Sequence, residues 1–282
     1  MNRTFSADRN VTAIVLAGSR GPSDPVAAAA RVSHKALAPV AGVPMLARVL
    51  ETLTTVPRID RIVVLIERPE LVLEHPAFAP FLERGTLTVI PAAASPSRSV
   101  LAALDAVPAP CPCLVTTADH PLLTPAMVEH FWTHLPPDAD AAVGLARSET
   151  IRAAYPETRR TYLRFRDGAY SGCNLFALRT ETARSVVSFW RRVELDRKKP
   201  WRMIRMLGPG TLLSYALGRL RLDTALAVFG RRTGTVLAAV DMPFANAAVD
   251  VDRPDDLTLA EAILSRRSGM ATLRPQSQAA AS

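Results

Sequence analysis

Thr12-Ala13-Ile14-Val15-Leu16-Ala17-Gly18-Ser19-Arg20-Gly21-Pro22, followed by a lone lysine in Ser33-His34-Lys35-Ala36-Leu37, decides how this chain is read. Ala13 to Ala17 is a buried strand that stops at a glycine. A loop of small residues follows, and then a cation. In an open α/β sheet, ligands sit at the carboxyl ends of the strands. Gly18 and Gly21 let the backbone come close to a ligand and point N–H groups at an anion. Arg20 and Lys35 add positive charge. No Gly-Lys-Ser/Thr opens a helix, so this is not a P-loop. A glycine after a first strand can also be only a turn.

Apolar runs and helical spacing alternate outward from this strand. Strands are predicted at 61–66, 86–90, 113–117 and 141–146, and helices at 43–53, 97–107 and 125–135. The 97–107 helix has apolar residues at 100, 103, 104 and 107. Pro125 sits just inside the start of its helix. This βαβα order predicts a Rossmann-like, three-layer α/β/α domain with a mostly parallel, doubly wound sheet. The middle changes character. Two strands, 161–166 and 173–178, flank the Asp167-Gly168 turn. A helical insertion covers about 180–232. Strands return at 236–240 and 248–251, and a helix closes at 254–264. Residues 1–10 and 266–282 read as disordered flanks around one domain, 11–265.

Two further stretches carry chemistry. Thr116-Thr117-Ala118-Asp119-His120-Pro121 ends an apolar strand in a carboxylate, on the same rim as Gly18. A carboxylate beside phosphates suits Mg²⁺, which takes one or two carboxylates plus phosphate oxygens and waters. Asp119 capping the next helix is the plainer alternative. In Val249-Asp250-Val251-Asp252-Arg253-Pro254-Asp255-Asp256-Leu257, alternation puts Asp250 and Asp252 on one face of an extended segment. Asp252, Asp255 and Asp256 lie near a helix first turn, where negative charge is favourable anyway. Asp250 lacks that explanation and is the better metal ligand.

Together, Leu16-Ala17-Gly18-Ser19-Arg20-Gly21, Lys35, Asp119-His120-Pro121 and the Asp250–Leu257 stretch resemble the nucleotidyltransferases with a MobA-like NTP transferase domain. That group includes enzymes making molybdopterin dinucleotides, cobinamide-GDP and CDP-methylerythritol. The resemblance covers about 11–265. It implies a glycosyltransferase-A-like fold and attack by an acceptor phosphate on the α-phosphorus of an NTP, CTP or GTP, with release of pyrophosphate. On that resemblance Leu16 to Gly21 wrap the triphosphate and Lys35 neutralises the α-phosphate. Asp119 and Asp250, with Asp252 beside them, hold Mg²⁺. Arg98 and Ser99, in Ser97-Arg98-Ser99-Val100, are similar to the base-facing segment of the cytidylyltransferase branch. Gly172 and Asn174 look like the Gly-x-Asn segment that faces a small phosphorylated acceptor. The family usually has a second glycine where Ser19 stands, and here an alanine-rich stretch delays Lys35. That departure predicts a looser loop. A nucleotide-sugar glycosyltransferase and a non-catalytic nucleotide-binding module are the rival readings; the first is disfavoured by the lack of a second carboxylate beside Asp119.

Composition agrees with a large α/β core: 282 residues, 49% hydrophobic and 21% charged, with net charge +8. That excess favours anionic partners. Arg191, Arg192, Arg197, Lys198, Lys199, Arg202 and Arg205 put seven cations into fifteen residues. They read as a solvated helix face, a clamp for an acceptor phosphate or a peripheral contact with an anionic membrane. Nucleic acid is disfavoured, because aromatics are not interleaved as stacking platforms. The long helical segment offers a homodimer face. Cys111, Cys113 and Cys173 form no disulfide framework, which suits a reducing cytoplasm. No signal peptide or spanning segment is legible.

Overall fold

Long apolar runs make strands buried on both faces, and short polar runs end them. The computed structural model describes residues 10–19, 21–108, 111–158, 160–196 and 208–272. Its strands are β1 (Val11–Leu16), β2 (Pro39–Val40), β3 (Val43–Pro44), β4 (Ile59–Ile66), β5 (Leu87–Pro91), β6 (Cys113–Thr117), β7 (Ala141–Arg147), β8 (Leu163–Phe165), β9 (Gly168–Leu178) and β10 (Leu237–Asp241). The helices of the first half are α1 (Pro25–Ala30), α2 (Met45–Thr54), α3 (Glu70–Leu73), α4 (Ala79–Glu83), α5 (Pro96–Ala106), α6 (Pro125–Thr133) and α7 (Ser148–Ala154). Then come α8 (Arg184–Asp196), α9 (Pro209–Ala216), α10 (Leu222–Thr233) and α11 (Pro254–Thr272).

The main sheet has the order β10-β7-β9-β6-β1-β4-β5, with β8 hairpinned onto β9. β9 alone runs against the others. The opening strand is therefore central, parallel to β4 on one side and β6 on the other. Alternate residues of each strand feed two cores. Ala13, Val15, Ile62 and Val64 pack on the side of α2 and α6. Ile14, Val63, Leu65 and Val115 pack with Val100, Ala103 and Leu104 of α5 and Val187 of α8. The expected three-layer, mostly parallel architecture is present.

A third, smaller core positions the site. Val26 of α1, Val40 of β2, Met45, Leu122, Val249 and Val251, with Ala260 and Ile263 of α11, are packed together. It joins segments from both ends of the chain. Burying a valine stabilises by about 1.5–3 kcal/mol, so these contacts hold otherwise separate loops in place.

Three expectations change. The 248–251 segment is not a strand. A 3-10 turn spans Ala245–Ala248, and the chain then runs extended. There Val251 donates its N–H to Asp119 O at 2.8 Å. Its valines seat in the third core rather than in a ladder. The alanine-rich stretch before Lys35 is not loose: Asp24 caps α1, accepting from the N–H of Val26 (3.0 Å) and Ala27 (3.2 Å), with Pro25 in the first turn. At the other end, α11 continues to Thr272, so helix replaces disorder over 266–272. Residues 1–9 and 273–282 lie outside the described residues.

Candidate active site

β1 and β6 end side by side. Ala118 N–H donates to Leu16 O (2.9 Å), which sets Asp119 next to the glycine loop. Lys35 arrives from the other direction, on a 3-10 turn that His34 caps by accepting the Ala36 N–H on Nδ1 (3.1 Å). Its Nζ donates to Asp119 Oδ2 (2.7 Å) and Asp252 Oδ1 (2.6 Å). Lys35 is only 7% exposed. Burial pulls its pKa down, but the two carboxylates more than offset this, and the net shift is upward. It is a fixed ammonium.

Alternation works as the sequence implies. Val249 and Val251 point into the third core, and Asp250 and Asp252 face the cleft. Asp250 accepts from Arg160 Nη1 (2.5 Å), and Arg160 Nη2 donates to Asp256 Oδ1 (2.9 Å). Asp256 Oδ2 in turn accepts the N–H of Asp252 (3.1 Å) and Arg253 (2.9 Å). Arg160, with its side chain 8% exposed, thus clamps the turn that carries both carboxylates. Burial raises the Asp250 pKa, helped by the charges of Asp119 and Asp252 and opposed by Arg160. Four carboxylates and two cations share one small volume.

β9 supplies Asn174. Opposite Gly144 the β7–β9 register slips, and Asn174 sits in the left-handed region at φ 50°. Asn tolerates that conformation better than most residues. The bulge aims its Nδ2 at Asp250 Oδ2, 3.5 Å away. Gly172 has open space where a side chain would be. A cleft of about 920 Å³ opens here, lined by Arg160, Tyr170, Gly172, Asn174, Asp250 and Asp252 among others.

The glycine loop already holds an anion. Ser19 N–H donates to Glu67 Oε1 (2.9 Å). A Cβ at Gly18 would lie 3.3 Å from that same oxygen, so glycine permits the approach. Because His34 Nδ1 is an acceptor, its proton is on Nε2, which donates to Glu67 Oε2 (2.9 Å). Burial raises the Glu67 pKa, but the His34 and Ser19 hydrogen bonds outweigh it and the net shift is downward. Leu16 and Ala17 form the strand exit, and Gly21 takes φ 69°. Arg20 lies outside the described residues, as do Arg197 to Arg205 of the basic stretch.

The base-facing segment is less available than expected. Ser95, not Ser97, caps α5, and Ser99 Oγ accepts the Ala93 N–H (2.9 Å). Ser97 is buried against Glu194. Arg98 is exposed at the start of the helix.

Sequence reasoning missed Glu67, His34, Arg160 and the clamping role of Asp256. Glu67 had a signal: it follows at once on the buried apolar run Ile62-Val63-Val64-Leu65-Ile66. Arg160 had none, since its partners lie ninety residues away or more.

Among the described residues no three His, Cys, Asp or Glu side chains form a ready metal shell. The donor set nonetheless fits a Mg²⁺ that brings phosphate oxygens with it. Asp119 Oδ1 is buried with no hydrogen-bond partner, and Asp250 lies in the same cluster. Hard carboxylate oxygens are what Mg²⁺ takes.

The pattern of the MobA-like NTP transferase domain family matches residues 13–195. A solved hypothetical transferase from Thermus thermophilus is 32% identical, with TM-score 0.73, over 88% of this chain and 99% of that one. Two more distant structures share the fold. A 4-diphosphocytidyl-2C-methyl-D-erythritol synthase from Anaerococcus prevotii is 14% identical, with TM-score 0.58, over 92% of this chain and 97% of its own. A CMP:2-keto-3-deoxy-manno-octonic acid synthetase solved with CTP is 16% identical, with TM-score 0.54, over 92% and 99%. No curated protein matches the sequence. The glycine loop, Lys35 and Asp119 all fall inside the matched span, and the chain belongs to the MobA-like NTP transferase domain family and is a nucleotidyltransferase.

Proposed function

We propose that the chain transfers a nucleoside monophosphate from CTP or GTP to a small phosphorylated acceptor, with Mg²⁺, and releases pyrophosphate. The observation that carries this is Lys35 bridging Asp119 and Asp252 at the rim where the glycine loop and the open cleft meet. An acceptor phosphate oxygen forms a bond to the α-phosphorus, and the bond from that phosphorus to the α–β bridging oxygen breaks. Such a reaction needs placement and charge neutralisation more than a covalent nucleophile. The backbone of Ala17 to Ser19 binds the triphosphate. Lys35 supplies fixed positive charge. Asp119 and Asp250 would hold the metal, which offsets phosphate charge when bound. Gly172 and Asn174 position the acceptor, and Arg98 and Ser99 lie toward the base. The three free cysteines support a reducing, cytoplasmic setting.

The test incubates the protein with each NTP, Mg²⁺ and a panel of sugar, polyol and cofactor-precursor phosphates. Pyrophosphate should appear in step with nucleotidylated acceptor, and Asp250→Ala should abolish both. If no combination releases pyrophosphate, the proposal fails.

A further inference from the structure

The helical insertion is charged unlike the rest of the chain. From Arg184 to Arg232 the sequence has twelve Lys and Arg against three acids, so this stretch outweighs the whole chain's net charge of +8. Within it, α9 is built the wrong way out for a core helix. Pro209, Leu213, Ala216 and Leu217 follow helical spacing and form one stripe, and all are exposed. Leu213 is 61% and Leu217 57% exposed. The other side of the helix meets the protein: the Tyr215 ring lies 5.8 Å from that of Phe165 on β8. Arg219 and Arg221, both exposed, follow directly, and Arg191 and Arg192 are exposed on α8.

We propose that α9 and its flanking arginines form a docking surface for an anionic phospholipid bilayer. An outward apolar stripe followed directly by Arg219 and Arg221 matches the two layers of a membrane interface, acyl chains beneath acidic headgroups. Each basic residue near such a surface adds electrostatic attraction that salt screens. No described helix is long and apolar enough to cross a membrane, so the contact is peripheral. Docking also has a direction. Arg166 N–H donates to Leu220 O (2.8 Å), and Leu222 N–H to Asp167 Oδ1 (3.1 Å). These bonds fasten the end of α9 to the β8–β9 hairpin, whose Leu163 and Tyr170 line the cleft. The bilayer would lie beside the acceptor end of the site.

The experiment is vesicle co-sedimentation of the full chain. Vesicles of phosphatidylcholine alone are compared with vesicles containing about a third phosphatidylglycerol. The chain should bind the anionic vesicles, release as NaCl rises toward 0.5 M, and bind the neutral ones at least about tenfold more weakly. Leu213→Glu/Leu217→Glu should weaken anionic binding by about tenfold or more. The milder Leu213→Ser/Leu217→Ser pair should do so in part. Leu73→Glu, at an exposed leucine on α3, should change nothing. Circular dichroism checks that each variant folds. Failure to bind anionic vesicles at low salt overturns the proposal. So does binding that the leucine variants leave unchanged, which would assign it to charge alone. Sedimentation velocity showing that α9 instead buries itself in a dimer broken by the same variants also overturns it.

Discussion

The two ends of the active site treat charge in opposite ways. At the acidic end, Asp119, Asp250, Asp252 and Asp256 are held by two protein cations, Lys35 and Arg160, both almost fully buried. At the glycine loop the roles reverse: a carboxylate, Glu67, occupies a backbone N–H suited to an anion, and it is half-exposed. The acidic end is locked by interlinked ion pairs. At the loop, Glu67 is held by the Ser19 N–H and the His34 ring. The first is a scaffold that the substrate must fit. The second holds a group that the triphosphate would displace in the proposed reaction.

The largest expected effect tests the locked end. Asp119→Ala should lower kcat/KM about a thousandfold, because it removes both the proposed metal ligand and one of the two carboxylates that hold Lys35. A loss under threefold in steady-state assays would place the chemistry elsewhere.

Next comes a pH signature beside it. His120 is fully buried, and neither ring nitrogen makes a well-formed hydrogen bond, although the Asn246 backbone lies near. Burial lowers its pKa from 6.5 to about 4, against the pull of Asp119. The unfolded chain therefore takes up this proton first. Its share of stability is complete above pH 6.5, falls as pH drops toward 4 and levels below that. The loss is about 3 kcal/mol. Urea melts of wild type and His120→Leu should differ in slope with pH across that window and nowhere else. Parallel curves would mean that the ring is solvated.

Arg160→Met is a smaller disturbance. It leaves Asp250 and Asp256 without their cation, which should cost about 2 kcal/mol of stability, discounted for their partial exposure. Activity should fall with it. A variant as stable as wild type would show that the clamp is not needed to hold the turn.

The smallest effect falls on the loop. Glu67→Gln removes the charge that competes with the triphosphate, so NTP binding by calorimetry should tighten by about threefold. Weaker binding would turn the comparison round and make Glu67 part of the nucleotide site.

What could be read in advance follows the same division. Strand ends were legible because Ile14-Val15-Leu16 and Leu114-Val115 are apolar runs that stop at small or charged residues, and the places of the glycine loop and Asp119 follow from that. Arg160 was not, because it stands in a loop among other arginines and acquires meaning only through Asp250 and Asp256. The Val249-Asp250-Val251-Asp252 alternation correctly faced both carboxylates to the cleft. It also suggested a strand, since a pattern of two says which side is buried but not whether another strand or a small core buries it. The left-handed Asn174 depends on a register slip against β7, which no local pattern encodes.

The third core has a consequence for what counts as a working unit. The family pattern ends at 195, yet Asp250 and Asp252 reach the site only because Val249 and Val251 are anchored under α11 and α1. The Lys35–Asp252 pair closes a loop of 217 residues. A fragment trimmed to the recognisable domain would keep the glycine loop, Lys35 and Asp119 but lack Asp250 and Asp252. It would be a nucleotide pocket with half its charges missing, and Lys35 would be left with one partner.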